Sequence, residues 1–367
     1  MNLLSYLREK ALERALVLIL YCGVSQLAVA QDFYTTTPAP NSARPDLETL
    51  RGTLLNGYIN TDYVMLALHR AAWVDGTPEN SLAAVQRALR NPAVDIIEID
   101  LKTSEDRKVY LMHDNYLQRT TNFLDMYPNI YGAGKDNFGK ASEYPWSVLS
   151  QLRLKNEEKT YTMEKIPLLE DIIDEVRGKK VILQLDINDE YTFEQAMRVV
   201  QRARAFSFVM FKGDKTPKRL KPYLKLLTEE EKLQFIFAPY IRADSKPDGA
   251  TWPDPMGFYQ EWEDWRVNSC LECTGIAGLY EMVFKTPADT DLFTVAQKIR
   301  KRGKRLGIFS AQPEHYRGRY SGNVNINQCC YDNPEKDRRG DFDFILAPNN
   351  NRTAGINGYI ITDEVTT

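Results

Sequence analysis

The sequence is poor in histidine, has no excess of positive charge and has no long apolar run beyond its first 30 residues. Lysine and arginine number 47 against 50 acidic residues, which gives a net charge of −3 at pH 7. This balance argues against a surface built for nucleic acid or for an anionic membrane. Without a run of about 20 apolar residues, no stable membrane insertion is expected. Hydrophobic residues still make up 43% of 367 residues, enough for one large domain or two small ones.

The first 30 residues differ from the rest in composition. Lys10 and Arg14 precede an apolar stretch, and Ala28-Val29-Ala30-Gln31 is a small-x-small site of the kind that signal peptidase cuts. We therefore predict a signal peptide over residues 1–30, in preference to a retained anchor helix, and a secreted or periplasmic protein. Residues 31–50, rich in Pro, Thr and Ser, are predicted to form an extended lead-in to one folded domain over residues 51–367.

Cysteine is also scarce, with five in the chain. Removal of the signal takes Cys22 and leaves four, namely Cys270, Cys273, Cys329 and Cys330. An even number in an exported chain favours disulfides. Two close pairs also suggest zinc, but adjacent cysteines lack the spacing that is typical of metal sites. We expect a link between the two pairs, with the connectivity open.

Past residue 60, short apolar segments typical of strands alternate with segments that have apolar residues at helical spacing. This alternation predicts a parallel sheet with crossover helices, and about eight strands in one unit fit a closed (β/α)8 barrel. Residues 115–166 are irregular and are predicted to be an insertion after the third strand. The segment between Tyr240 and Ile276, rich in Trp and Pro, is interpreted as a loop whose aromatic residues pack together or form a lid or cage.

Two of the three histidines end predicted strands. His69 closes the strand 64–68 and His113 closes the strand 108–112. Because the active site of a (β/α)8 barrel lies at the carboxyl ends of its strands, both imidazoles are expected in one mouth. Two facing imidazoles provide the acid and the base that a phosphoryl transfer requires. Either histidine alone would be read as an ordinary polar strand terminus.

Three carboxylates occupy similar positions. Glu98 and Asp100 are two residues apart on a strand and so share a face, and Asp186 ends another strand. Burying acidic groups together is costly unless a cation neutralises them, and Mg²⁺ or Ca²⁺ suits a site made only of oxygen ligands. The alternative is a salt-bridge network at the surface. Arg70 could hold a phosphate oxygen or pair with these acidic groups.

These residues and their neighbours resemble the glycerophosphodiester phosphodiesterase family. Seven motifs occur in the family's order: His69-Arg70, Pro78-Glu79-Asn80-Ser81, Glu98-Ile99-Asp100, His113-Asp114, Leu117-Gln118-Arg119-Thr120-Thr121, Ile166-Pro167-Leu168-Leu169-Glu170 and Gly358-Tyr359-Ile360-Ile361-Thr362-Asp363. Each motif is weak alone, but seven in order across residues 65–363 are a specific signal.

The resemblance implies a TIM barrel with a small insertion and a metal-dependent phosphodiesterase. It assigns His69 and His113 as the acid/base pair, Glu98, Asp100 and Asp186 as ligands of one divalent cation (Mg²⁺ or Ca²⁺), and Arg70 as a phosphate contact. The implied substrate is a small-molecule or lysolipid phosphodiester whose own vicinal hydroxyl attacks phosphorus. Two alternatives stay open: a lyase like phospholipase D or sphingomyelinase D that releases cyclic phosphate, and a non-catalytic binding protein.

The chain departs from the family's pattern at three places. Ala71 replaces the usual glycine, Phe309-Ser310 replaces a Trp-Thr pair, and Asp186-Ile187-Asn188 replaces Glu-x-Lys. Asn188 is expected to contact phosphate through neutral hydrogen bonds, so the site is expected to lose a fixed positive charge. We also predict that Asn80 caps the helix 81–89 and that His315 lies in a loop outside the catalytic pair.

Overall fold

The structure is a computed structural model that describes residues 45–56, 63–73, 75–128, 139–156, 158–269, 275–284, 290–310 and 358–362. The predicted signal peptide, all five cysteines and His315 lie outside the described residues. Within the described ranges, no helix has both the length and the apolar character that crossing a bilayer requires.

The described residues form eleven strands. They are β1 (Met65–Leu68), β2 (Ile96–Thr103), β3 (Val109–Leu111), β4 (Arg153–Lys155), β5 (Tyr161–Lys165), β6 (Ile182–Asp186), β7 (Val209–Gly213), β8 (Ile236–Ile241), β9 (Leu279–Phe284), β10 (Arg305–Ser310) and β11 (Tyr359–Thr362). Eight of them, β1, β2 and β6 to β11, are parallel neighbours, and β1 closes the ring by pairing with both β11 and β2. The predicted (β/α)8 barrel is confirmed.

Ten α-helices accompany these strands. They are α1 (Leu47–Leu55), α2 (Leu82–Arg90), α3 (Phe123–Met126), α4 (Trp146–Leu149), α5 (Leu169–Val176), α6 (Glu190–Arg202), α7 (Pro217–Leu224), α8 (Glu229–Gln234), α9 (Pro255–Ser269) and α10 (Thr290–Lys301). The helices that follow β6 and β7 begin at residues whose side chains cap them. Asp189 accepts from the Thr192 N–H, and Thr216 accepts from the Arg219 N–H.

Helix α1 covers the amino-terminal end of the barrel. Leu50 and Leu54 are fully buried and pack with the residues that fill the barrel interior. The Arg51 guanidinium donates hydrogen bonds to the carbonyls of Phe206, Ser207 and Gln234, which precede β7 and β8. The extended lead-in predicted to reach residue 50 is therefore wrong for its last four residues. A helix of nine residues contains too few apolar residues to show the helical period clearly in the sequence.

The third predicted strand is not a barrel strand. β3 pairs antiparallel with the end of β2, with Leu111 opposite Leu101 and Val109 opposite Thr103. β2 therefore continues past the barrel rim and the chain folds back along it, so the Met112 N–H reaches the Asp100 carbonyl at 3.0 Å. This return places Met112, the residue before His113, opposite Asp100, although β3 runs opposite to the barrel strands.

The insertion after β3 has a core of its own. It contains α3, α4 and the antiparallel pair β4–β5. Tyr110 of β3 completes this core, whose other buried side chains are Met112, Leu117, Phe123, Ala141, Leu149, Leu152, Leu154 and Ile166. The sequence therefore locates the insertion correctly, and its irregular composition reflects short elements rather than a lack of structure.

The segment rich in Trp and Pro contains a 15-residue helix, α9, which the sequence analysis assigned to a loop. Phe258, Tyr259 and Trp262 are buried in the main core, and the Trp262 ring lies 5.5 Å from the Phe237 ring. These three side chains pack in the hydrophobic core, which excludes an aromatic cage built from them. Pro253 and Pro255 mark the start of the helix, where proline is tolerated, rather than a continuous loop.

Candidate active site

The chain turns sharply at the carboxyl end of β1. Arg70 and Ala71 both have left-handed backbone, with φ of 55° and 64°. The Arg70 N–H donates to the Glu98 Oε2 at 2.8 Å, and the Ala71 N–H donates to the Glu98 carbonyl at 2.9 Å. Alanine here adopts a conformation that favours glycine, at a cost of about 1–2 kcal/mol. The turn fixes His69, whose ring lies 4.9 Å from the Phe309 ring.

Three carboxylates meet where β2 and β6 reach the barrel mouth. Glu98 is fully buried, Asp100 is 5% exposed, and Asp186 lies opposite Asp100 in the parallel register. One oxygen from each of the three lies within 4.8 Å of the others. The structure thus brings together the three residues that the sequence assigns to a metal site.

Both histidines act electrostatically on Asp100. Burial would raise the pKa of Asp100, but the charges of His113 and Arg70 outweigh burial and lower that pKa. His69 acts in the same direction. Both imidazoles therefore lie near enough to Asp100 to affect its pKa.

His113 is anchored by a chain of ion pairs. Its Nδ1 lies 2.7 Å from the Asp114 Oδ1, and Arg119 donates to both oxygens of Asp114, at 2.5 and 2.9 Å. Arg119 also donates to both oxygens of Glu79, at 2.7 and 2.8 Å. Glu79 in turn accepts from the Arg70 guanidinium at 3.1 Å. The network links the two turns that carry His69 and His113.

The acidic members of this network stay ionised. Burial would raise the pKa of Glu79, but Arg70 and Arg119 hold it well below its usual range. The pKa of Asp114 is likewise lowered against burial, by its hydrogen bonds with His113 and Arg119. His113 therefore faces a permanent negative charge. Arg119 lies in the motif Leu117-Gln118-Arg119-Thr120-Thr121, but the sequence does not indicate its role.

Asn80 orients Asp100 rather than capping a helix. Its Nδ2 donates to the Asp100 Oδ2 at 2.8 Å, and its Oδ1 accepts from the Asp100 N–H at 2.9 Å. Asn80 has φ of 52°, and the cap of α2 is Ser81, which accepts from the Ala84 N–H. The predicted capping role is wrong by one residue, because Asn and Ser are both good caps and the sequence does not distinguish them.

Lys212 on β7 is a buried cation that the sequence analysis missed. Its Nζ lies 3.1 Å from the Glu98 Oε1, 3.1 Å from the Asp186 Oδ2 and 3.3 Å from the Glu281 Oε1. Burial would lower the pKa of Lys212, but these carboxylates raise it well above its usual value. The expected loss of a fixed charge at Asn188 is thus wrong for the site as a whole, because the neighbouring strand supplies one.

Glu281 and its partners lie beneath the carboxylates inside the barrel. The Tyr359 hydroxyl donates to the Glu281 Oε2 at 2.6 Å, and the Gln184 Nε2 lies 3.2 Å from the same oxygen. Gly307 makes room for Tyr359, since a Cβ at residue 307 would lie 2.3 Å from the tyrosine ring. The position of Glu281 is therefore set by packing and hydrogen bonds.

Asn188 lies at the exposed edge of the site. Its Oδ1 accepts from the Tyr240 hydroxyl at 2.8 Å, which orients the amide. Its contact with phosphate stays a prediction. The same holds for Arg70, whose guanidinium pairs with Glu79 and lies 3.5 Å from the Asp100 Oδ2.

The three carboxylates fit a divalent cation. The Asp186 Oδ1 is buried, and no hydrogen bond reaches it from the part of the chain that the structure describes. A buried carboxylate oxygen without a donor is costly, and a cation bound to it would remove that cost. A site made only of carboxylate oxygens suits a hard cation such as Mg²⁺ or Ca²⁺.

Comparisons with known proteins are consistent with the barrel fold and with the site described above. Residues 69–224 match the model of the Glycerophosphoryl diester phosphodiesterase family. Glycerophosphodiester phosphodiesterase 1 of Mus musculus is 29% identical over 132 residues, which is 34% of this chain and 34% of the relative. The Homo sapiens protein of the same name is 28% identical over 132 residues, with the same shares. The match therefore spans about a third of the length of these curated relatives.

A solved structure supports the fold over most of the chain. The crystal structure of a Glycerophosphoryl diester phosphodiesterase from Parabacteroides distasonis ATCC 8503 has a TM-score of 0.59 and 22% identity, and the match covers 87% of this chain and 88% of that one. Residues 69–224, which contain both histidines and the three carboxylates, are therefore similar to the glycerophosphoryl diester phosphodiesterase family.

Proposed function

We propose that the protein is a metal-dependent phosphodiesterase that hydrolyses glycerophosphodiesters to glycerol phosphate and an alcohol. The observation that carries the proposal is the cluster of Glu98, Asp100 and Asp186 within 4.8 Å, with both histidines acting on Asp100. The family match over residues 69–224 begins at His69 and contains the other four residues. The substrate is a small molecule or a lysolipid that carries a phosphodiester.

The two imidazoles are proposed to move protons. When the Nδ1–H of His113 donates a hydrogen bond to Asp114, the Nε2 of His113 is available to exchange a proton with the substrate. Arg119 keeps Asp114 anionic, so Asp114 can orient the His113 ring through its contact with Nδ1. One imidazole takes the proton of the attacking vicinal hydroxyl, and the other gives a proton to the alkoxide that leaves phosphorus. Water then opens the cyclic phosphate.

Glu98, Asp100 and Asp186 would hold a divalent cation, Mg²⁺ or Ca²⁺, which would supply positive charge to stabilise the phosphate. Asn80 fixes the Asp100 carboxylate, and the Arg70 N–H fixes that of Glu98. Arg70 and Asn188 are proposed to contact the phosphate at the rim. The low exposure of Glu98 and Asp100 strengthens these electrostatic interactions.

We also propose that the protein works outside the cytoplasm. The support is the apolar stretch and the Ala28-Val29-Ala30-Gln31 site. Expression of the full chain with mass analysis of the secreted product tests this, since a mature N-terminus at Gln31 is expected and an uncleaved intracellular chain would contradict it.

Product analysis tests the proposed reaction. Purified protein with Mg²⁺ or Ca²⁺ is incubated with glycerophosphocholine, glycerophosphoethanolamine and lysophosphatidylcholine, and products are identified by phosphorus NMR. We expect glycerol phosphate and free alcohol from a glycerophosphodiester. Accumulation of a cyclic phosphate from the lysolipid alone would favour the lyase. No turnover with any of these substrates and cations would contradict an enzyme of this class.

A further inference from the structure

A lysine side chain lies among the proposed metal ligands and belongs to none of the family's motifs in this sequence. The Lys212 Nζ lies 3.1 Å from oxygens of both Glu98 and Asp186. Lys212 is 3% exposed, so solvent screens these contacts very little. A divalent cation at this site would have to share the two carboxylates with an ammonium group.

Lys212 is held in place by residues inside the barrel. Its third partner, Glu281, accepts from the Tyr359 hydroxyl and from Gln184 at the centre of the barrel. Withdrawal of the lysine would leave Glu281 buried without a cation, which is strongly unfavourable. The position of the ammonium group is therefore set by the barrel interior and does not depend on a bound metal.

The position also depends on strand register. Lys212 lies directly opposite Asp186 in the β6–β7 pairing, so its side chain enters the barrel on the level of the carboxylates. The family's lysine would stand at residue 188, two residues beyond Asp186, where β6 ends. In this chain the positively charged side chain therefore lies on the neighbouring strand, and deeper in the site than residue 188.

We infer that Lys212 is an internal cation that holds the metal-free site folded and lowers the affinity of the site for its divalent ion. This inference rests on the proposed metal site. Lys212 neutralises part of the charge on Glu98 and Asp186 when no metal is bound. When the divalent ion binds, the ion and the Lys212 ammonium group repel each other, because both contact the same carboxylates. Lys212 is a positioning residue, since it acts through the carboxylates.

The variant Lys212→Met removes the charge and keeps a long unbranched side chain. We expect it to bind Mg²⁺ or Ca²⁺ at least about tenfold more tightly in calorimetry, since a repelling charge is gone. In EDTA its melting temperature is expected to fall, because Glu98, Asp186 and Glu281 lose their common partner. Saturating metal is expected to raise that temperature more than it does in the wild-type protein.

Two further variants make the test independent of how well Lys212→Met folds. Glu281→Gln removes one negative charge next to Lys212, so divalent binding is expected to weaken by a few-fold. The double variant Lys212→Met/Glu281→Gln is expected to recover part of the stability lost in EDTA. Lys218→Met, which removes an exposed lysine paired with Asp248, is the control and is expected to change neither measurement.

The outcomes separate the inference from the proposed site. If neither the wild-type protein nor Lys212→Met binds a divalent cation at millimolar concentration, the proposed metal site and the inference both fall. If the wild-type protein binds but Lys212→Met binds with equal or lower affinity, the inference alone is overturned. If Lys212→Met does not fold, Glu281→Gln decides, and unchanged or tighter binding there overturns the inference.

Discussion

Replacing either His69 or His113 with alanine is expected to lower kcat for a glycerophosphodiester by a factor of about 10³. General acid–base catalysis contributes about 10²- to 10⁴-fold, and each imidazole is proposed to carry one proton transfer. The fold is expected to survive, because His69 and His113 are only partly buried at the barrel mouth. Steady-state kinetics at saturating metal, with circular dichroism on the same preparations, measure both effects.

His315→Ala is the matched control, since it removes the third histidine of the chain and is expected to leave kcat unchanged. The double variant His69→Ala/His113→Ala is expected to be little worse than the poorer single variant, because residues that act as a unit are not additive. Substantial turnover by His69→Ala or His113→Ala would remove that histidine from the mechanism.

Loss of the metal is expected to have an effect of similar size. EDTA is expected to abolish turnover, because it removes the cation whose positive charge faces the phosphate. Added Mg²⁺ or Ca²⁺ is expected to restore turnover, because the three carboxylates then bind a cation again. Asp186→Asn keeps the shape of the side chain and removes one anionic ligand. We expect it to raise the cation concentration for half-maximal turnover about 10- to 100-fold, measured by titration of EDTA-treated protein.

Asp174→Asn is the control for that titration, because Asp174 is 77% exposed on α5 and lies outside the cluster. An identical cation titration for Asp186→Asn and the wild-type protein would exclude Asp186 from the ligand set. Full activity in EDTA would exclude a metal from the reaction while leaving the fold and the similarity over residues 69–224 intact.

The barrel could be predicted from the sequence because its strands are short apolar segments that alternate with helices. β2, β6 and β7 are buried along most of their lengths, as strands covered on both faces are. The site could be predicted in part for the same reason, since Glu98 and Asp100 are acidic residues within an apolar strand and Asp186 ends another. Polar residues in such positions are conspicuous in one sequence.

What escaped prediction depends on tertiary geometry. His113 reaches the site because β3 turns back along β2, and a strand pattern does not reveal the direction in which a strand runs. Lys212 reaches the site because it is in register with Asp186 on a neighbouring strand, so the motif at residue 188 gave no sign of it. Lys212 within the apolar run Val209–Gly213 was the available signal.

The role of Arg119 was missed for a related reason. Its partners Glu79 and Asp114 lie 40 and 5 residues away along the chain, and the pairing follows from the way the insertion packs beside the β1–α2 turn. A motif shows that an arginine is present but not which buried carboxylates it neutralises. Local patterns thus identified the residues that react, while the residues that support them appeared only in three dimensions.

The central claim is that one cation lies among Glu98, Asp100 and Asp186 within reach of both histidines. The most direct test is an anomalous difference map from crystals grown with Mn²⁺, which carboxylate sites of this kind accept. We predict one strong peak roughly 2.0–2.6 Å from an oxygen of each carboxylate, the range for oxygen ligands of such cations. A peak elsewhere with none among these three residues would contradict the account.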